Sequence, residues 1–145
     1  MSLTREQVLG MELGVDLDAM VAEFVFGWTR ITGPTQDYHG PVEHGDVLIP
    51  PNTSTDEALR MMPPKGSIPF TYFVNRHWSK SISAAWKVEE NMLLKHPGVQ
   101  TRYVWRLRLV TGWEDKQPAF REDFKLIHAT PEERCKAALL AVLNL

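Results

Sequence analysis

The sequence has very little of several things that would assign it to a large class of proteins. It holds one cysteine, Cys135, in 145 residues, so no disulfide can form within the chain and a reducing compartment is expected. No apolar run approaches the ~20 residues that span a bilayer, and no signal peptide precedes the polar segment that follows Thr4. We therefore expect a cytoplasmic protein that does not associate with membranes.

Neither sign of charge is in excess. The chain carries 16 Lys and Arg against 18 Asp and Glu, a formal net charge of -2, which argues against bulk nucleic-acid binding but leaves room for a local basic site. A hydrophobic content of 43% and a charged content of 23% are typical of a globular protein. A chain of this length is most economically a single domain, residues 1–145, whose core needs neither metal nor disulfide.

The linear motifs of the common catalytic and cofactor sites are also missing. There is no Gly-x-Ser-x-Gly elbow, no Walker lysine loop, no dinucleotide glycine pattern and no His-Glu-x-x-His. His39 and His44 lie among acidic residues in a stretch rich in Gly and Pro, without the spacing of a structural zinc site, and are interpreted as loop residues. Cys135 falls on the apolar side of a predicted helix and is expected to be an inert core thiol. The sequence therefore predicts no catalytic residue, no cofactor and no metal.

Helix signatures lie at both ends of the sequence. Residues 16–28 carry an apolar stripe of helical period that begins after Asp16 and ends at Gly27. The last signature, Pro131–Leu143, has Thr130 as its N-cap and apolar residues at helical spacing throughout. Because this second stripe continues to its last residue, we expect the C-terminal helix to be docked on the rest of the fold.

Two further helices are predicted. Thr4 caps a short one near the N-terminus. A longer one is expected over residues 81–95, where Trp86 falls on the same face as Ile82 and Leu93. We expect that face to be buried, with Trp86 in the core.

The clearest strand pattern lies at residues 100–113. Tyr103, Trp105, Leu107 and Leu109 fall on one face of such a strand, and three arginines with Val104 and Val110 fall on the other. Residues 120–128 return as a second strand after a turn, so we expect an antiparallel pair with Trp105 in the core. Shorter strands are expected at residues 47–49 and 68–74. These elements predict an α+β domain in which helices pack on a mainly antiparallel sheet.

The main candidate binding site is a row of arginines on one face of the strand predicted at residues 100–113. The candidate ligand-binding residues are Arg102, Arg106, Arg108, Trp78 and Trp113. Guanidinium groups at this spacing can converge on a phosphate or a carboxylate, and nearby aromatic rings suit a nucleotide. The alternative is a solvated sheet face, or ion pairs with Glu122 and Asp123 of the partner strand. Trp28 and Trp78 adjoin helix boundaries, where their rings either pack at the ends of the elements or are half exposed.

Three blocks of the sequence together resemble a known family. They are Glu12-Leu13-Gly14 with Leu17-Asp18-Ala19 and Phe26-Gly27-Trp28, then Trp78-Ser79-Lys80-Ser81-Ile82 running to Ala84-Ala85-Trp86, and Thr130-Pro131-Glu132 running to Ala137-Ala138-Leu139. In this order, across nearly the whole chain, they are similar to the opening, the central motif and the C-terminal helix of the phage ABA sandwich family. The resemblance implies a three-layer α-β-α sandwich and a phage or prophage origin, and it implies no activity. Lys80-Ser81 stands where the family has Thr-Asp, so that carboxylate is missing here.

Three functions stay open on these grounds. The leading hypothesis is a small cytoplasmic binding or accessory protein of phage or prophage origin, which acts on a host protein or sequesters a small anionic ligand. The alternatives are a hydrolase or transferase whose catalytic residues converge only in the fold, and a protein–protein adaptor that uses a sheet edge or a helix face. A two-fold dimer is also expected, because open sheet edges favour pairing with a second copy.

Overall fold

Helices, and not a layered sheet, make up most of the described chain. The computed structural model describes residues 3–31, 34–37, 40–43, 47–54, 77–114 and 119–145. Within these ranges the strands form only two-stranded pairs, and the remaining elements are helical. The predicted fold, a three-layer α-β-α sandwich with a mainly antiparallel sheet, is therefore wrong.

The N-terminal region is helical, as predicted. Helix α1 (Arg5–Gly10) begins with the capping box of Thr4. Helix α2 (Val15–Met20) continues directly into one turn of π-helix, Val21–Val25. Gly27 follows with a φ of 74°, a left-handed conformation that glycine adopts without a steric penalty, so the predicted stop is confirmed.

The described strands are short. They are β1 (Thr29–Ile31), β2 (Pro34–Asp37), β3 (Gly40–Glu43) and β4 (Val47–Ile49). β1 pairs with β4 and β2 pairs with β3, both in the antiparallel sense. The strand predicted at residues 47–49 is confirmed. The predictions for His39, His44 and the strand at residues 68–74 lie outside the described residues.

A central helix organises the C-terminal half of the protein. The four helices here are α3 (Ile82–Met92), α4 (Pro97–Thr111), α5 (Ala119–Ile127) and α6 (Pro131–Leu143). Every residue of α6 from Arg134 to Ala141 is buried, and α1, α2, α3 and α4 all pack against it. A helix that is buried on every side is typical of the centre of a fold. The predicted cap at Thr130 and the docking of the C-terminal helix are confirmed.

The strand predicted at residues 100–113 is wrong, because this segment belongs to α4. Pro97 at the first helical position and Gly112 in a left-handed conformation after the last bound a helix of 15 residues. The buried residues of this helix are Tyr103 and Leu107. They are four positions apart, and that spacing satisfies both the period of a strand and the period of a helix.

The strand predicted at residues 120–128 is wrong for the same reason, because these residues form most of α5. Glu122 is fully buried and Leu126, four positions later, packs against the core. Phe124 lies between them in the sequence and is 59% exposed. Two positions on a helix are separated by about 200°, so Phe124 and Leu126 face opposite directions and not one sheet face.

The expected burial of two tryptophans is also wrong. Trp86 and Trp105, expected in the core, are 58% and 56% exposed, whereas Trp28 and Trp78 are 7% and 5% exposed. Ile82, Trp86 and Leu93 do lie on one face of α3, as predicted, but that face is exposed. The opposite face of α3 supplies the core, through Ala85, Val88 and Met92.

Candidate functional site

A groove of about 420 Å³ lies between α3 and α4. Its α3 wall includes Trp86, Glu90 and Leu93, and its α4 wall includes Gln100 and Val104. Both helices pack more extensively on α6 than on each other, so a gap between them stays open above α6. The walls are apolar and accessible, because Trp86 is 58%, Leu93 73% and Val104 45% exposed.

The floor of the groove is a polar network that joins three helices. The hydroxyl of Tyr103 donates a hydrogen bond of 2.6 Å to Oε1 of Glu89. The same carboxylate oxygen pairs with Nη1 of Arg134 on α6. Arg134 also donates to the carbonyl oxygens of Ala129 and Ile127, at 2.9 and 3.0 Å. This network holds α3, α4 and α6 at fixed positions, so the groove is preformed.

Burial sets the electrostatics of this floor. Desolvation raises the pKa of Tyr103 far above its usual value, and the neighbouring Glu89 carboxylate raises it further. Tyr103 is therefore a neutral hydrogen-bond donor over the whole physiological range, and it does not act as a base. Within the described ranges the side chain of Glu90, on the α3 rim, makes no hydrogen bond or ion pair, and the groove lining holds no basic side chain. The open face of the groove is therefore apolar with a net acidic character.

Arg108 continues the α4 wall beyond the groove. Gln100, Val104 and Arg108 are spaced by four residues, so they form one ridge along the helix. The guanidinium carbon of Arg108 lies 4.8 Å from the ring centroid of Trp105 and 4.6 Å from that of Trp113. The turn at Gly112 creates this arrangement, because it returns Trp113 to α4, where its backbone amide donates to the carbonyl oxygen of Arg108 at 2.8 Å. Arg108 thus contacts two indole rings.

The five candidate residues from the sequence do not form one site. Arg102 donates from Nε to the carbonyl oxygen of Ala141 at 3.0 Å, so it anchors α4 to α6. Trp78 lies in the core, stacked on Phe26 with ring centroids 4.7 Å apart. Arg108 and Trp113 are in contact, while Arg106 is two positions from both Val104 and Arg108 and points away from their ridge.

The alternative prediction was an ion pair between an arginine of the row and Glu122, but Glu122 has other partners. Oε2 of Glu122 accepts from the backbone amide of Glu114 at 2.6 Å and from Nζ of Lys125 at 2.9 Å. Desolvation of the carboxylate opposes its ionisation, but these two donors outweigh it and hold the pKa of Glu122 below its usual value. Glu122 therefore fastens the start of the α4–α5 connection and is not available to an arginine.

Groups capable of nucleophilic or acid–base chemistry are buried or separated. Cys135 is fully buried, and desolvation together with the nearby Asp18 raises the pKa of its thiol, which confirms the expected inert core cysteine. Asp18 accepts a hydrogen bond of 2.8 Å from the backbone amide of Ser79. Among the described residues, no histidine hydrogen-bonds a carboxylate, and no group of three or more His, Cys, Asp or Glu could hold a metal ion.

A second cavity of about 510 Å³ lies between α4 and the start of α6. Its basic residue is Lys136, whose Nζ donates to the carbonyl oxygen of Leu9 at 2.8 Å and to Glu132 at 2.9 Å. Because this ammonium group is already paired and only 8% of the residue is exposed, it has a structural role in joining α1 to α6.

No family model, no curated protein and no solved structure matches the chain. The phage origin implied by the resemblance in the sequence therefore has no support, and the sandwich fold implied by it is wrong. Within the described part of the chain, no helix combines the length and the apolar character needed to cross a bilayer.

The groove was not predicted from the sequence, because the apolar stripe formed by Ile82, Trp86 and Leu93 was expected in the core. α3 carries one stripe at Ala85, Val88 and Met92 and another at Ile82, Trp86 and Leu93. A helix has one core-facing side, so a second apolar stripe was the available signal for a binding surface.

Proposed function

We propose that the protein is a protein–protein interaction module that binds an amphipathic helix of a partner protein in the α3–α4 groove. The observation that carries the proposal is the exposure of Trp86, 58%, on the wall of a preformed groove. Large exposed aromatic and aliphatic side chains around a concavity mark interaction sites, and tryptophan is enriched among the residues that dominate binding energy.

The walls of the groove favour a helix as the occupant. Both walls are α-helices whose backbone amides and carbonyls are already used, so an extended peptide would find few main-chain partners there. A helix satisfies its own backbone and presents only side chains. The α3 wall has 11 residues, a length of about 16 Å, which corresponds to about three turns of a partner helix.

The charge of the groove favours a partner with a basic residue beside its apolar face. Glu90 lies on the rim and forms no ion pair with the described residues, and the lining residues include no base. A lysine or arginine of the partner would complement this rim and orient the helix, although an exposed pair contributes only ~0.2–1 kcal/mol. The binding energy is therefore assigned to the apolar contacts with Trp86 and Leu93.

Synthetic helical peptides of about 15 residues test this function. The first peptide carries leucines along one face and one lysine at the edge of that face, and the second has the same composition with the leucines distributed around the helix. We expect isothermal titration calorimetry to show binding of the first peptide only, weakened at least about tenfold by Trp86→Ala. Phe124→Ala removes a comparably exposed aromatic ring that does not line the groove, and we expect it to bind as the parent does.

Equal binding of the two peptides, or equal loss with Trp86→Ala and Phe124→Ala, would contradict a specific groove. The expected two-fold dimer is a separate occupant to test, since a second copy could cover the same surface. Sedimentation that shows a dimer abolished by Trp86→Ala, together with no peptide binding by the monomer, would replace the partner helix with a second copy of this chain.

A further inference from the structure

We infer that Arg108 is an anchor for a carboxylate carried by the helix that occupies the groove, about two turns from the basic residue of that helix. The inference rests on the proposed function and adds a charge requirement to the partner. It assigns an acidic side chain, Glu or Asp, to the end of the partner helix that lies beyond Val104.

The geometry of Arg108 suits this role. Its guanidinium carbon lies over the rings of both Trp105 and Trp113, 4.8 and 4.6 Å from their centroids, and these two cation–π contacts restrict where the planar group can lie. Among the described residues the side chain of Arg108 makes no hydrogen bond or ion pair, and only its Nε is a buried atom without a partner. The terminal Nη groups are therefore accessible and unpaired, and they present the edge that binds a carboxylate through two hydrogen bonds.

The position of Arg108 places this edge in line with the groove. Tyr103 is joined to Glu89 and Gln100 is joined to the carbonyl oxygen of Leu93, so α4 runs antiparallel to α3. Glu90 consequently lies near the Gln100 end of the groove, and Arg108 lies past Val104 at the other end. From Gln100 to Arg108 is eight residues, or about 12 Å, which is a little more than the rise of two turns of a partner helix.

The groove is therefore polarised along its length. It offers an acidic rim at one end, an apolar middle formed by Trp86 and Val104, and a guanidinium edge at the other end. A partner helix complements all three parts if one of its faces carries a basic residue, then an apolar residue and then an acidic residue. The basic and acidic residues are seven positions apart. Reversal of the helix direction exchanges the order of the charges in the sequence but not this spacing.

Four peptides of the leucine-face design test the inference. They carry, seven residues apart on the leucine face, Lys with Glu, Lys with Gln, Gln with Glu, or Gln with Gln. For the parent protein we expect the change from Glu to Gln to weaken binding about three- to tenfold at low salt, and less as salt is added. Arg108→Gln should remove this preference for Glu. Arg108→Lys should remove most of it, because lysine keeps the charge without the planar group.

Arg106→Gln is the matched control, because it removes an arginine of the same helix that lies off the ridge. We expect this variant to keep the full preference for Glu. If the leucine-face peptides bind but Glu and Gln bind equally, the inference is overturned and the proposed function stands. If none of the four peptides binds, the proposed function itself fails. Thermal unfolding of each variant establishes that it is folded before binding is compared.

Discussion

The hydroxyl of Tyr103 donates to Oε1 of Glu89 at 2.6 Å, and that oxygen also pairs with Arg134 of the central helix. One carboxylate atom thereby joins α3, α4 and α6 directly beneath the groove. The depth and width of the groove depend on this contact, since α3 and α4 meet each other only sparsely elsewhere.

Tyr103→Phe is expected to lower the free energy of unfolding by ~1–2 kcal/mol, because it removes a hydrogen bond to a charged group and leaves the ring in place. Urea unfolding measures the change. Lys87→Ala is the control, since Lys87 is exposed on α3 and its removal is expected to change stability by less than ~0.5 kcal/mol. A Phe variant as stable as the parent would show that the network does not hold the helices.

Trp86 and Trp78 should respond oppositely to truncation. Trp78→Ala is expected to cost ~3–5 kcal/mol, because the ring is 5% exposed and packs between Phe26 and Trp28. Trp86→Ala is expected to cost less than ~1 kcal/mol, because its ring is mostly in solvent. Denaturant unfolding of both variants checks this, and a larger loss for Trp86 would place that ring in the core after all.

Asp18 gives the stability a defined pH dependence. Burial raises the pKa of Asp18 above its ordinary value of 3.8, although hydrogen bonds from Ser79 oppose the shift. The native state therefore holds this proton more tightly than the unfolded state, so the contribution of Asp18 to stability is greatest below pH 3.8 and declines as the pH rises through the native pKa. Asp18→Asn lacks this decline.

The stability of Asp18→Asn relative to the parent should thus increase as the pH rises from below 3.8 and then become constant. Urea unfolding at a series of pH values measures the difference. A difference that decreases with pH would mean that the hydrogen bonds of Ser79 dominate and that the native pKa is lowered.

Cys135 should not react with a water-soluble disulfide reagent while the protein is folded. The side chain is fully buried, and desolvation with the nearby Asp18 raises the pKa of the thiol, so almost no thiolate forms at neutral pH. We expect one label per chain in urea and none in buffer. Labelling in buffer at the rate of a free thiol would place Cys135 at the surface.

The ends of the helices were predictable from the sequence because their signals are local. Thr4 and Thr130 each form a capping box with a residue three positions later, and Gly27 takes a left-handed conformation at a helix end. Each of these interactions involves only neighbours in the chain, so a short stretch of sequence contains all the information.

The direction of the helix faces was not predictable in the same way. The spacing of Ile82, Trp86 and Leu93 correctly puts them on one face, but whether that face meets α6 or solvent depends on residues far away in the sequence. The alternation at Tyr103 and Leu107 likewise fits two periods at once. The pairing of Arg108 with Trp113 was partly visible as a candidate, although the helix and its Gly112 turn, and not a strand, create it.

Fluorine NMR of the protein labelled with 5-fluorotryptophan tests at the residue level whether the α3–α4 groove binds a helix. Each resonance is assigned from a Trp→Phe variant, and the leucine-face peptide with Lys and Glu is then titrated in. We expect the Trp86 resonance to shift and to saturate with the affinity found by calorimetry, while the resonance of the buried Trp78 stays in place. A Trp86 resonance that does not move at saturating peptide would contradict it.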